Sequence, residues 1–294
     1  MVEIFYYPVY LYTLTYKPVN GTLSFMNKKL DIVKLDCEER FGLASGGCFA
    51  AGRFSSLILG LLFTAIFYAA LGLLRMHTSG GIAVEMFFPG GAENRTYIPA
   101  ITVLLAMIAL GKLAIKRSKL SMQKYALDHL PEQLNTSDLR AQLAEIYDSP
   151  EDFLAPAMLL QQHQAQQTMT NLEVFEFMEN SFNDLEKESE NGFLPVSTLI
   201  WAVPVLGFIG TVLGLARAVG NFGTLLNSGS SGGFEAVLPQ ITGGLATAFE
   251  TTLIALVLAL ILQILSSAAN HAEARFIAEL KKSISKSTFQ QDIL

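Results

Sequence analysis

Apolar positions gather into four long runs, about Phe54 to Leu74, Ile98 to Ile115, Leu199 to Val219 and Val237 to Leu265. A helix needs about 20 residues to cross the hydrocarbon core of a bilayer, so each run predicts a transmembrane helix. The second is short and carries Lys112 near its end, where a long basic side chain can reach the interface. Between the second and third runs the pattern changes. Leu172, Phe175, Met178, Phe182 and Leu185 recur at steps of three and four, which predicts a single amphipathic helix from about Ala157 to Glu190. Residues 119–130 continue the second span as helix and stop before Pro131. The expected fold is all-α: a polytopic membrane protein with four transmembrane helices and a helical segment between spans two and three.

Composition agrees with residence in a membrane. Only 16% of the 294 residues are charged and 51% are hydrophobic, where a soluble domain carries about a quarter charged. The net charge of −6 argues against a nucleic-acid partner, which calls for a basic surface. The basic residues set an orientation. Lys116, Arg117, Lys119 and Lys124 follow the second run, Arg275, Lys281, Lys282 and Lys286 follow the fourth, and Lys34, Arg40 and Arg53 precede the first. Residues 220–239 hold no Lys or Arg, and the loop from Met76 to Tyr97 holds only Arg95. The positive-inside rule then puts both termini and residues 117–196 in the cytoplasm. Arg75, at the outer end of the first span, runs against it.

The chain accordingly divides into an N-terminal segment (1–53), a first hairpin (54–116), a cytoplasmic helical region (117–196), a second hairpin (197–268) and a C-terminal helix and tail (269–294). Met26, followed by Asn27-Lys28-Lys29, is a more natural start than Met1, and residues 1–25 receive no role. The glycine-rich outer loops, Phe88-Pro-Gly-Gly91 and Gly229-Ser-Ser-Gly-Gly233, read as connectors. Cys37 and Cys48 match no metal or redox spacing and read as reduced thiols. No Gly-rich loop ends in Lys-Ser or Lys-Thr, and no nucleophile–base pair or metal set is visible, so neither a nucleotide site nor an enzyme is expected. No metal or cofactor is expected. His77, His129, His163 and His271 read as surface histidines, Tyr68, Tyr97 and Trp201 as interface or packing residues, and Asp148, Glu151 and Asp152 around Pro150 as a solvated turn.

Chemistry concentrates in the second hairpin. In the third run Gly207, Gly210 and Gly214 form a stripe of small residues, with Thr211 beside it and Pro204 expected to bend the helix. In the fourth, Gly244, Ala248, Thr251 and Ala255 share a face, and Thr247, Glu250 and Thr252 add polar groups. Two stripes with hydroxyls at matched depth suit a helix-lined, partly hydrated passage, whereas a single stripe suits only a seam. A carboxylate at mid-bilayer depth costs several kcal/mol unless it is paired, neutral or beside a polar path. At ~100° per residue Glu250 lies about 160° around the helix from Thr252, so the two do not face one pore squarely. Glu250 is left with three roles: hydrogen-bonded at a seam between subunits, a second titratable site on the ion path, or paired with Arg217.

The pattern Pro204-x-x-Gly207-x-x-Gly210-Thr211-Val212, then Gly244-Leu-Ala-x-Ala248-Phe-x-x-Thr252, resembles the MotA/TolQ/ExbB proton-channel family over about residues 199–268. The resemblance implies a ring of subunits, usually five, in the bacterial inner membrane. The ring surrounds a dimer of a single-span ExbD/TolR/MotB-like protein that supplies an aspartate. Flow of H+ or Na+ then drives mechanical work. It places Thr211 and Thr252 at the family's two pore-facing threonines, with Glu250, Thr247 and Thr251 as further ion-path candidates. Pro204, Gly207, Gly210, Gly214, Gly244 and Ala248 are the helix-packing set. Four spans match the flagellar stator subunits, while Gly-Thr-Val is closer to TolQ and ExbB and favours an energiser of that kind. ExbB-like proteins carry Glu where this chain has Thr247; here the carboxylate comes three residues later. The competing expectation is a non-conducting membrane scaffold whose stripes serve packing alone.

Overall fold

A computed structural model describes Leu30, Glu38 and residues 51–77, 82–88, 96–131, 138–228 and 233–289. Expectations for residues 1–25, Cys37, Cys48, the glycines of both outer loops up to residue 232, and the tail beyond residue 289 lie outside the described residues. Helix α1 covers Arg53–His77, α2 Ile82–Glu85, α3 Ile98–Asp128, α4 Leu139–Ile146, α5 Leu154–Thr168, α6 Asn171–Ser228 and α7 Gly233–Phe289. A 3-10 turn at Pro150–Asp152 precedes α5. The described residues form no strand; Leu30 and Tyr147 make one isolated bridge. Helices α1, α3, α6 and α7 are each long and apolar enough to cross a membrane, so the protein is an all-α, multi-pass membrane protein.

Length separates the two hairpins. Helices α6 and α7 have 58 and 57 residues. At 1.5 Å per residue each is about 85 Å long, nearly three times the hydrocarbon thickness. Both therefore continue as a helical stalk beyond the apolar layer. The single helix expected over 157–190 is instead two. Helix α5 stops at Thr168, Met169 is extended, and α6 begins anew at Asn171 and runs on through the third span. The cause is local. The Thr170 backbone N–H and hydroxyl both donate to the Glu173 carboxylate at 2.8 Å, a capping-box interaction that starts a helix. Pro195 and Pro204 both lie inside α6 without ending it.

Three cores organise the packing. In the stalk, Met158 and Leu159 of α5 meet Val174, Met178, Phe182 and Leu185 of α6 and Phe276, Ile277 and Leu280 of α7. Leu172 and Phe175, expected on this stripe, are exposed at 69% and 67%. Val174 takes their place because the positions of α5 and α7 set which way α6 faces. In the second core, Ala106, Ala109 and Leu113 of α3 pack on the α6–α7 hairpin. The third gathers Met122 and Ala126 of α3 with Leu139, Leu143, Tyr147 and Phe153. The Tyr147 hydroxyl donates to the Ala126 carbonyl at 2.7 Å, and burial pushes its pKa up to about 12.

The first hairpin closes where Gly60 of α1 meets α3. A Cβ there would stand 2.6 Å from the Ile108 Cα, so only glycine allows this approach. Phe87 and Phe88, after α2, make edge contacts with Phe67 and Tyr68. Arg75, the charge that ran against the orientation rule, lies with its guanidinium 5.3 Å from the centroid of the Phe88 ring. A cation over an aromatic face is stabilised there by the ring quadrupole.

Candidate functional site: a hydroxyl pair across the long hairpin

The two small-residue stripes face each other inside one chain. A Cβ on Gly207 would stand 2.5 Å from the Ala255 Cβ, one on Gly210 2.5 Å from the Thr251 hydroxyl, and one on Gly214 2.7 Å from the Ala248 Cβ. Gly244 in turn abuts the Gly214 carbonyl and Ala218. Backbones at this separation gain dispersion contacts that any larger side chain would block. The stripes thus close on each other and do not line an open passage within the chain. Pro204 is half-buried on α6, one turn from the first of these contacts.

This closure brings Thr211 and Thr252 together. Their hydroxyls hydrogen-bond each other across the helices. The Gly207 carbonyl lies 3.2 Å from both hydroxyls, and the Ala248 carbonyl lies 3.4 Å from Thr211 and 3.3 Å from Thr252. Each threonine thus reaches a carbonyl of its own helix four residues back and a carbonyl of the opposite helix. Both side chains are half-buried, so the pair sits at the edge of the seam with one side open. Four oxygens with two mobile protons form a small polar island between apolar surfaces. Such an island can donate to a carboxylate or offer oxygens to a cation.

The other expected ion-path residues are placed differently. Thr247 is buried and donates to the Gly243 carbonyl at 2.9 Å. Thr251 is 1% exposed, packs on Gly210 and donates to the Ala248 carbonyl at 2.9 Å. Thr251 faces α6 across the seam. Glu250 is half-buried and Arg217 exposed.

Along the seam from the pair toward the stalk the packing is apolar. Val203, Ile200, Val196 and Phe193 of α6 meet Ala255, Ala259 and Leu262 of α7, all under 10% exposed. Beyond them lies a group of buried charges that sequence reasoning had used only to orient the chain. Lys116, 1% exposed, pairs with Glu273 at 3.1 Å, and Ser189 donates to the other Glu273 oxygen at 2.7 Å. The Lys116 ammonium also stands 4.1 Å from the Phe193 ring centroid. Lys119, one turn on, pairs with Glu38 at 2.6 Å. Glu38 further accepts from the Gly52 N–H at 2.7 Å and from the Ser55 hydroxyl. Burial opposes ionisation of Glu38, but Lys119, Ser55 and Gly52 outweigh it and hold its pKa below the usual carboxylate value. A lysine pattern alone cannot reveal partners so distant in sequence.

The family model described as the MotA/TolQ/ExbB proton channel family matches residues 148–282. Over these residues the chain is similar to that family. The family region is wider than the motif-bearing 199–268. It takes in α5, the stalk of α6 and most of α7, and it starts at the 3-10 turn. The first hairpin lies outside it. No curated protein and no solved structure matches the chain.

Remaining candidates stay at the surface. His77, His129 and His271 are exposed and His163 is half-buried, and among the described residues no group of three His, Cys, Asp or Glu could hold a metal. Glu151 pairs with Arg140 at 2.6 Å on the exposed turn. Trp201 and Tyr97 are both more than 70% exposed on the span surfaces, as suits interfacial anchors.

Proposed function

We propose that this protein is the ring-forming subunit of an ion-driven motor or energiser in the bacterial inner membrane. It works with a dimer of a single-span, Asp-bearing protein of the ExbD/TolR/MotB kind. The family match over residues 148–282 supports a proton-channel role in general. The observation that carries the finer reading is the half-exposed Thr211–Thr252 pair above a seam packed with apolar side chains. The interior of one hairpin offers no polar route along that seam, so ions must pass along its outer face. A face becomes a path only when other chains cover it. Five copies would arrange their hydroxyl pairs around a central partner, and the partner's carboxylate would exchange hydrogen bonds with them as the ion moves. Orientation by the basic residues puts both termini and the stalk in the cytoplasm, and residues 197–268 then form the channel hairpin. Thr211 and Thr252 are the proposed ion-path residues. Glu250, half-buried on the same span, is a second titratable site, a contact between subunits or a partner of Arg217.

A second reading has its own observation. Both glycine stripes are consumed in closing the hairpin, which is what a non-conducting scaffold requires. Purification in mild detergent with whatever membrane proteins accompany the chain, followed by mass measurement of the intact complex, separates the two. Five copies with two of a single-span partner support the motor; a lone chain, or an assembly without such a partner, supports the scaffold.

A further inference from the structure

We infer that Thr251 is a positioning residue for the ion path: its buried hydroxyl occupies the Ala248 carbonyl and thereby turns the Thr211–Thr252 pair toward the Gly207 carbonyl. The inference rests on the proposed role of that pair. Counting protons and lone pairs gives the argument. Two hydroxyls have two protons, and each hydroxyl has three acceptors within reach: the other hydroxyl, Gly207 O and Ala248 O. Each of these carbonyls already accepts its own helix's i+4 N–H, which leaves one lone pair for a hydroxyl. At Ala248 that lone pair is taken by Thr251 at 2.9 Å, closer than Thr252 at 3.3 Å or Thr211 at 3.4 Å. At Gly207 it is shared by Thr211 and Thr252, both at 3.2 Å.

One hydroxyl therefore donates to its partner, and the partner donates to Gly207. The two can exchange these roles at equal distance. The carboxylate or cation outside the seam then meets a pair that reverses direction easily, which suits repeated transfer. Thr251 cannot drift from its post. It is 1% exposed, and its Cβ, hydroxyl and methyl lie 2.5–3.0 Å from where a Gly210 side chain would begin. Gly210 makes the room and Thr251 fills it with one donor aimed at one acceptor.

Threonine to valine keeps the shape and removes the donor. In T251V the Ala248 carbonyl is free to capture Thr252 or Thr211, and one direction of the pair is favoured over the other. Ion uptake into vesicles containing the complex as isolated should fall by about fivefold, the factor corresponding to one ordinary hydrogen bond, with oligomeric mass unchanged. T251S keeps the donor but loses the methyl that packs on Gly210. It should restore most of the rate while lowering the thermal midpoint. A purely structural Thr251 gives the opposite order: T251V normal and T251S impaired. Wild-type uptake in T251V overturns the inference. If T251V does not assemble, T251S against T251A reads the hydroxyl instead, and equal rates in these two overturn it. T211A and T252A are measured alongside. Loss of uptake in both with normal T251V sinks the positioning role alone, whereas normal uptake in both sinks the ion-path reading and the inference with it.

Discussion

Replacing Glu273 with leucine removes the carboxylate that holds Lys116, and the cost can be worked from the surroundings. Lys116 is 1% exposed, with Phe193 on one side and Glu273 on the other. In the variant an ammonium remains buried without its closest counter-charge, and the Ser189 hydroxyl loses its acceptor. Breaking a buried pair from one side costs about 3–5 kcal/mol. Lys116→Met strands the carboxylate in the same way and should cost a similar amount. Replacing both, as K116M/E273L, strands neither charge and fills the volume with apolar atoms, a change that is neutral or stabilising in comparable sites. The double variant should therefore be close to wild type, with a coupling energy of about 3 kcal/mol or more. Unfolding of the purified protein by denaturant in fixed detergent micelles, followed by tyrosine and tryptophan fluorescence, measures all four corners of the cycle. Single variants that each lose less than ~1 kcal/mol, or a double variant as unstable as the sum of the singles, would refute the reasoning.

Three further outcomes follow from the geometry. Gly210→Ala puts a Cβ 2.5 Å from the Thr251 hydroxyl, so it should open the hairpin at a cost of about 1–3 kcal/mol. Adding Thr251→Ala should recover only part of that loss in the same unfolding assay, because the residue 251 Cβ still stands 2.6 Å from the added one. Glu38, whose folded pKa is held below its ordinary 4.5, contributes stability that is full above that value and disappears as pH falls through the lower folded one. A stability profile across mildly acid pH should show this loss in wild type, and Lys119→Met should shrink it. Glu173→Ala removes the acceptor of the Thr170 N–H and hydroxyl, so amide hydrogen exchange over residues 171–174 should quicken by roughly five- to tenfold, the equivalent of one lost cap.

The four spans were legible because a bilayer imposes its length on any apolar helix, whatever surrounds it. The glycine stripes and the Thr211–Thr252 match were legible for a similar reason: close approach in lipid admits few residue types. The direction in which the stripes face was not. Two small faces with matched hydroxyls read as lining a passage, and only the meeting of Gly207 with Ala255 and Gly214 with Ala248 shows them closed on each other within the chain. The break between α5 and α6 was written in Thr170-x-x-Glu173, a capping signal masked by apolar periodicity that continues across it. The roles of Lys116 and Lys119 were out of reach. The positive-inside rule weighs a lysine by the side of the membrane it occupies, and their partners Glu273 and Glu38 come from opposite ends of the chain.

The central claim is that ions pass beside the hydroxyl pair of Thr211 and Thr252. Proton and sodium uptake into vesicles holding the purified complex tests it most directly, with wild type compared against T211A and T252A at matched oligomeric mass. The account predicts that each substitution cuts uptake of the carried ion at least tenfold while the complex stays intact. Uptake at the wild-type rate in both variants would contradict it.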